Sequence, residues 1–203
     1  MASTDTPMFR QYLELKAQVP DAILFFRMGD FYEVFFEDAK VCSELLELTL
    51  TSRNKGSPDS IPMAGVPHHA ARGYVRTLVE QGLKVAIADQ VEDPKLAKGL
   101  VRREIVRVVT PGLTLDPEEL APREACWLVA VCRDQDRWGL GCLDVSTGDL
   151  RVTEPPSEQV LIEELVRLGP REALLPRALV DDAALSEALS GLPRQILDAM
   201  PTE

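Results

Sequence analysis

The chain has 203 residues, 45% hydrophobic and 27% charged, with 22 Lys and Arg against 33 Asp and Glu for a net charge of −11. This length provides one large domain or two small ones with ample chain for a core. No apolar run approaches the roughly 18 residues of a membrane span, and the start Met1-Ala2-Ser3-Thr4-Asp5 lacks the basic and apolar segments of an export signal. The charge is unevenly spread. Residues 1–115 hold 14 Lys and Arg against 15 Asp and Glu, whereas residues 116–203 hold 8 against 18. A face for a phosphate backbone is therefore expected before residue 115, because the second part repels a polyanion. Cys42, Cys126, Cys132 and Cys142 form no C-x-x-C pair and have no nearby His. They read as buried thiols of a cytosolic chain rather than as disulfides.

In chain order, Thr6-Pro7 starts a helix with a capping hydroxyl followed by Pro at the first helical position. Phe9, Tyr12, Leu13, Lys16 and Val19 follow at helical spacing, and Pro20 stops it. The apolar run Ala22 to Phe26 reads as a strand buried on both faces. Gly29-Asp30 supplies a turn, and the aromatic-rich Phe31 to Phe36 suits a second strand. Alternation groups Phe31, Glu33 and Phe35 against Tyr32, Val34 and Phe36. With the second set facing the core, Phe31 and Glu33 point outward together, roughly 7 Å apart. Such a pair reads either as an edge aromatic with a solubilising charge or as a contact surface.

A helix over Asp38–Leu48 follows, with Val41, Cys42, Leu45 and Leu46 inward, then a short strand at 48–51 and a polar loop at 53–60. Pro67 opens a further helix with Ala70, Ala71, Tyr74, Val75, Leu78 and Val79 on one face and Gly82 as its stop. Its neighbours His68 and His69 diverge by about 100° on a helix and have no third ligand at matching spacing. Lys84–Val91 is a strand, Glu92–Leu100 a loop with Lys95 and Lys98, and Arg102–Thr110 a strand that puts Arg103 and Arg107 on one alternating set. A Pro-rich acidic connector then marks a domain boundary. Beyond it, Trp127–Arg133, Trp138–Val145 and Leu150–Thr153 suggest an antiparallel meander. A helix (158–168), a short strand (173–175) and a helix (181–189) come next.

The stretch Phe26-Arg27-Met28-Gly29-Asp30-Phe31-Tyr32-Glu33 resembles the Phe-X-Glu mismatch-reading motif of the MutS DNA mismatch repair family. Three further blocks agree in order: Ile61-Pro62-Met63-Ala64-Gly65-Val66-Pro67-His68-His69-Ala70, Val85-Ala86-Ile87-Ala88-Asp89-Gln90 and Val106-Arg107-Val108-Val109-Thr110-Pro111-Gly112. The resemblance is dense over about residues 7 to 115 and looser beyond. It implies an α/β chain: a mixed-sheet mismatch-recognition domain (1–115), a linker (116–124), and a ribonuclease-H-like connector domain (125–203) that the chain is expected to contain only in part.

The resemblance also implies roles. Phe31 stacks on a mispaired base and Glu33 hydrogen-bonds to it; Met28 reads equally as packing beside the ring or as core. Arg53, Lys55, Lys98, Arg103 and Arg107 are candidate phosphate contacts, each equally readable as a solvated surface charge; Arg53 and Arg103 stand where similar MutS proteins also carry Arg. Implied partners are mismatched double-stranded DNA, a MutL-type protein at the connector region, and a second copy in a full-length homodimer. The compartment implied is the bacterial cytosol at the nucleoid. ATP and magnesium belong by resemblance to the full-length protein, since no G-x-x-x-x-G-K-[ST] phosphate loop occurs here and no catalytic or metal-binding residues are assigned. Two other readings stand beside this one. The acidic second half fits a protein-interaction module. Asp30, Glu33, Glu37 and Asp38, or Asp144 and Asp149, are carboxylates of the kind a metal-dependent nuclease uses, although alternation separates Asp30 from Glu33 and the second pair brackets an ordinary turn.

Overall fold

The computed structural model describes residues 6–56, 60–92, 99–113 and 125–192, and the backbone of 194–197. The chain forms two compact units, divided between Val109 and Thr110. In the first, the elements run α1 (Pro7–Gln18), β1 (Ala22–Met28), β2 (Phe31–Phe35), α2 (Phe36–Leu45), β3 (Thr51–Arg53), β4 (Ile61–Pro67), α3 (Ala71–Glu80), β5 (Lys84–Gln90) and β6 (Arg103–Val109). The strands make one sheet in the order β3-β4-β2-β1-β5-β6. Only β1 and β5 pair in parallel.

Both faces of this sheet are covered, which is why β1 is apolar on both sides. On one face Met8, Phe9, Tyr12 and Leu15 of α1 pack on Leu24, Phe26, Phe35 and Ala88. On the other, Ala39 and Cys42 of α2 and Val75, Leu78 and Val79 of α3 pack on Ile23, Phe25, Tyr32, Val34 and Val66. α1 begins as its cap and Pro require, with the Thr6 hydroxyl accepting from the Phe9 amide at 3.4 Å. Lys16 then reaches off the helix to Asp38 of α2 at 2.9 Å and to the Ala22 carbonyl at 2.6 Å. Asp38 also accepts from the Leu24 amide at 3.0 Å, so one buried carboxylate joins α1, β1 and α2.

Several elements differ from their sequence reading, each for a local reason. Leu13 is exposed, and Leu15 takes the inward position on α1. Phe35 is fully buried while Phe36 is only partly so, because α1 covers the far end of the Phe31–Glu33–Phe35 face. Phe36 starts α2 at a φ of +57°, and the helix ends at Leu45, which is exposed rather than inward. The short strand falls at 51–53, where it can pair with β4. Ile61–Pro67 is itself a strand, so the following helix is delayed by a 3-10 turn at His68–Ala70. A bulge beside Ile87 and Ala88 shifts the β5–β6 register, pairing Ile87 with Arg107 but Ala88 with Ile105. That extra residue reverses the alternation of β6, so Arg103 and Arg107 lie on opposite faces of the sheet.

The second unit contains β7 (Trp127–Asp134), β8 (Arg137–Asp144), β9 (Asp149–Thr153), α4 (Glu158–Leu168), β10 (Glu172–Pro176), α5 (Ala183–Ala188) and β11 (Arg194–Leu197). Its sheet has the order β11-β10-β7-β8-β9. The meander β7-β8-β9 is antiparallel and β10 and β11 are parallel additions. β11 is a strand the sequence reading did not contain. The Thr110–Leu113 segment belongs with this unit: the Gly112 amide donates to Oε2 of the fully buried Glu172 at 2.8 Å. The division thus falls ahead of the Pro-rich connector, and the expected linker 116–124 lies outside the described residues.

Replacing Asp38 with Ala leaves the Leu24 amide and the Lys16 ammonium without their acceptor. The expected loss is about 2–3 kcal/mol. It is measured as a lower urea midpoint at unchanged m-value.

Candidate nucleic-acid interface

The β1–β2 hairpin builds the site. Its register sets Phe26 against Glu33, Arg27 against Tyr32 and Met28 against Phe31. Gly29 turns the chain at a φ of +59°, a conformation glycine adopts without a Cβ clash. The next turn residue is braced from the 3-10 turn after β4, where the His68 amide donates to the Asp30 carbonyl at 2.8 Å. One face of the hairpin carries Met28, Phe31, Glu33 and Phe35. Phe35 is sealed beneath α1, yet Phe31, four residues earlier, is 47% exposed. A large ring standing in water beside a buried core is the feature that sequence alternation foresaw.

Glu33 lies between Phe26 on β1 and Gly65 on β4. Burial raises its pKa above the ordinary carboxylate range, and the nearby Arg53 guanidinium only partly counters this. Its Oε2 is buried and has no hydrogen-bond partner among the described residues. An acceptor in that state is costly and gains from any donor brought to it. Gly65 lies beside the pair, where a Cβ would meet Glu33 Cγ at 3.7 Å and Phe31 Cδ1 at 3.8 Å in ordinary van der Waals contact. Nothing in the sequence reading singled out Gly65 as a neighbour of the pair.

The remaining site residues divide. Met28, half-buried, is the direct cross-strand neighbour of Phe31. Arg53, at the end of β3, is half-buried with its guanidinium 5.6 Å from the Phe9 ring centroid. Lys55 is exposed in the turn that follows, and Arg107 is exposed on β6. Lys98 lies outside the described residues. Arg103 is corrected from an outward cation to an internal tie, being only 7% exposed. Its Nε donates to the Arg27 carbonyl at 2.6 Å, and Nη1 donates to Val101 O at 2.7 Å and Gln11 Oε1 at 3.2 Å. The guanidinium also lies 4.8 Å from the Phe26 ring centroid. Burial lowers its pKa, with Asp89 opposing. The residue therefore joins α1 to β1 and β6.

Two carboxylates of the nuclease reading, Asp38 and Asp144, are otherwise engaged. Asp38 is bound to Lys16 and Leu24. Asp144 accepts from the Ser146 hydroxyl at 2.7 Å and the Thr147 hydroxyl at 3.0 Å, which with backbone donors brings its pKa down to about 2. Among the described residues no three His, Cys, Asp or Glu side chains are grouped to hold a metal ion. His68 instead sets its ring 5.4 Å from that of Tyr32.

Comparison with known proteins bears on the family of the chain. The model for MutS domain I matches residues 6–118 and that for MutS domain II matches residues 126–198. The chain is 54% identical over 206 residues to the DNA mismatch repair protein MutS of Anaeromyxobacter sp. (strain K), covering 100% of this chain and 23% of that protein. To MutS of Desulfatibacillum aliphaticivorans it is 51% identical over 197 residues, 97% of this chain and 22% of that protein. To MutS of Myxococcus xanthus (strain DK1622) it is 51% identical over 189 residues, 93% and 21% respectively. The chain thus spans less than a quarter of these relatives' length. Among the described residues no helix is long and apolar enough to cross a membrane.

Two outcomes follow from the placement of these charges. Arg103→Ala lowers stability by about 2 kcal/mol, the scale of losing charge-assisted internal bonds, while Arg107→Ala leaves the urea midpoint unchanged. The raised pKa of Glu33 sets the sign of a pH effect. Its protonated form suits the fold, so its contribution is present at low pH and lost as pH rises through the folded-state pKa. Glu33→Gln is accordingly more stable than the parent at pH 7.5, and the gain shrinks as pH falls through the raised folded-state pKa and is gone below the ordinary carboxylate range.

Proposed function

This chain belongs to the MutS family of DNA mismatch repair proteins, and from that membership we propose that its first unit reads mispaired or unpaired bases in duplex DNA. The observation that carries the proposal is the exposed Phe31 ring standing beside Glu33, whose buried oxygen has no donor among the described residues. An apolar ring wedges between base steps from the minor groove and kinks the duplex, at a cost of a few kcal/mol per step. The cost is lower at a mispair, which is already poorly stacked. Glu33 adds a second filter. A carboxylate meets repulsion along all of a polyanion, but recovers a strong hydrogen bond only where an unpaired base edge offers a donor. Discrimination then comes from a cost borne everywhere and a compensation available at mispairs alone.

Arg53, Lys55, Lys98 and Arg107 are proposed to hold the duplex by its phosphates, which position a protein without specifying sequence. Met28 supports the ring from β1. The second unit, with its acidic balance, is proposed to dock a MutL-type protein rather than DNA. In the longer relatives' context the protein is further proposed to act as a homodimer in the bacterial cytosol, at the nucleoid. ATP and magnesium are assigned to that longer protein only. This sequence contains no G-x-x-x-x-G-K-[ST] phosphate loop.

The test separates ring from carboxylate by fluorescence anisotropy on this chain at low salt, where weak complexes are measurable. Phe31→Ala weakens binding to mispaired duplex by on the order of 1–3 kcal/mol, the scale of base–aromatic stacking, and leaves matched duplex nearly unaffected. Glu33→Ala removes an acceptor and a repulsive charge, so matched affinity rises while discrimination falls. Full mismatch preference in a folded Phe31→Ala protein sinks the proposal.

A further inference from the structure

Behind the hairpin turn, three strands meet in a row of side chains that base reading itself does not use. Tyr32 of β2 points away from Phe31 into the opposite face and is 5% exposed. Its hydroxyl donates to Asp89 Oδ2 of β5 at 2.9 Å, although β1 lies between those two strands. Arg27 of β1 fills the interval. Its guanidinium lies 5.5 Å from the Tyr32 ring centroid and 3.9 Å from Asp89 Oδ1. The same guanidinium holds the turn, with Nε donating to the Gly29 carbonyl at 2.5 Å. The His68 ring closes over Tyr32 while the His68 amide holds Asp30.

We propose that the Tyr32–Arg27–Asp89 row is a latch that keeps the wedge extended under load, making Tyr32 and Asp89 positioning residues for mispair discrimination. The inference rests on Phe31 being the wedge. A ring driven between stacked bases does work on the duplex, and the duplex pushes back on the hairpin that carries it. Neighbouring strand residues project to opposite faces, so lowering Phe31 by rolling β2 about its axis must lift Tyr32 out of its own face. Anchoring the Tyr32 hydroxyl two strands away opposes that roll. A hydrogen bond to a carboxylate suits the task, being directional and stronger than a neutral one. Backbone pairing alone leaves the turn end of a hairpin as its most yielding part.

The experiment compares Tyr32→Phe, Asp89→Ala, Asp89→Asn and the Tyr32→Phe/Asp89→Ala pair, with Phe31→Ala as reference. Affinities are measured for one duplex with a single mispair and for its matched counterpart, alongside thermal melting and the ¹³C-methyl signal of Met28, the cross-strand neighbour of Phe31. Tyr32→Phe keeps the ring and removes only the latch hydroxyl. It is expected to lower the mispaired-to-matched affinity ratio about fivefold to tenfold, the scale of one charge-assisted hydrogen bond, with matched affinity unchanged. Asp89→Asn retains an acceptor and should preserve most of the ratio and the Met28 signal. The double variant should be no worse than Asp89→Ala, because both break one interaction.

An unchanged ratio and Met28 signal in folded Tyr32→Phe, where Phe31→Ala abolishes discrimination, overturns the latch while leaving the wedge intact. Parallel losses of melting temperature and of both affinities overturn it as well, because the role is then purely structural. Discrimination that survives Phe31→Ala removes the wedge reading and the latch together.

Discussion

Phe35 sits between the rings of Phe9 and Tyr12 with centroid separations of 5.1 and 5.0 Å, edge-on to both, and has no exposed surface. Everything at the candidate interface depends on that burial. Strand residues two and four places apart share a face, so fixing Phe35 under α1 fixes Glu33 and Phe31 on the same side. It also sends Tyr32 and Val34 to the other side. A slip of one residue would put Tyr32 where Phe31 stands and bury a charge in the α2–α3 core. The helix ends its cover short of Phe31, so one face passes from sealed core to open ring within four residues. Glu33, midway, acquires the intermediate environment that desolvates its carboxylate without enclosing it.

The cations of this unit show why residue type alone does not reveal a role. Arg103 and Arg107 are four apart on one strand, and plain alternation gives them a common face. The bulge at Val106 separates them. Arg103 lands among Arg27, Val101 and Gln11, where its donors are satisfied internally, and Arg107 faces solvent. A guanidinium offers donors in a rigid fork, which serves a phosphate or three carbonyl-type acceptors equally well. The register decides between them. In a chain whose first part is close to neutral, withdrawing one Arg from the surface matters: on the proposed reading fewer cations remain to meet phosphates, and more of the interface energy rests on Phe31 and Glu33.

Much of this was legible in the residues. β1, α1, the Gly29-Asp30 turn and the three-strand meander announced themselves through run length, capping and turn chemistry, which are local signals. The outward pairing of Phe31 with Glu33 followed from period two alone. What stayed hidden was set by partners distant in sequence. Ile61–Pro67 carries two prolines and a glycine, poor strand formers singly, and becomes β4 because β2 and β3 pair with it from both sides. β11 exists through parallel pairing to β10. The β6 bulge is a property of the β5–β6 pair and has no signature in either strand. Phe35 was assigned to the solvent side because alternation says which residues share a face, not how far a covering helix extends along it.

The same logic explains why the two faces of the hairpin bear such different chemistry. The Phe31 face holds an exposed ring and a carboxylate whose buried oxygen has no donor among the described residues. Both are unfavourable for stability and call for rigidity in the strand that bears them. The opposite face supplies that rigidity with groups that are all satisfied: hydroxyl to carboxylate, guanidinium to carbonyl, amide to carbonyl. On the proposed reading, a ring that pushes against DNA cannot rely on its own contacts to stay in place, because those contacts are the ones left open for the base. The restraint has to come from behind, through the strand. Tyr32, between Phe31 and Glu33 in sequence and opposite to both in space, is the residue through which it can act.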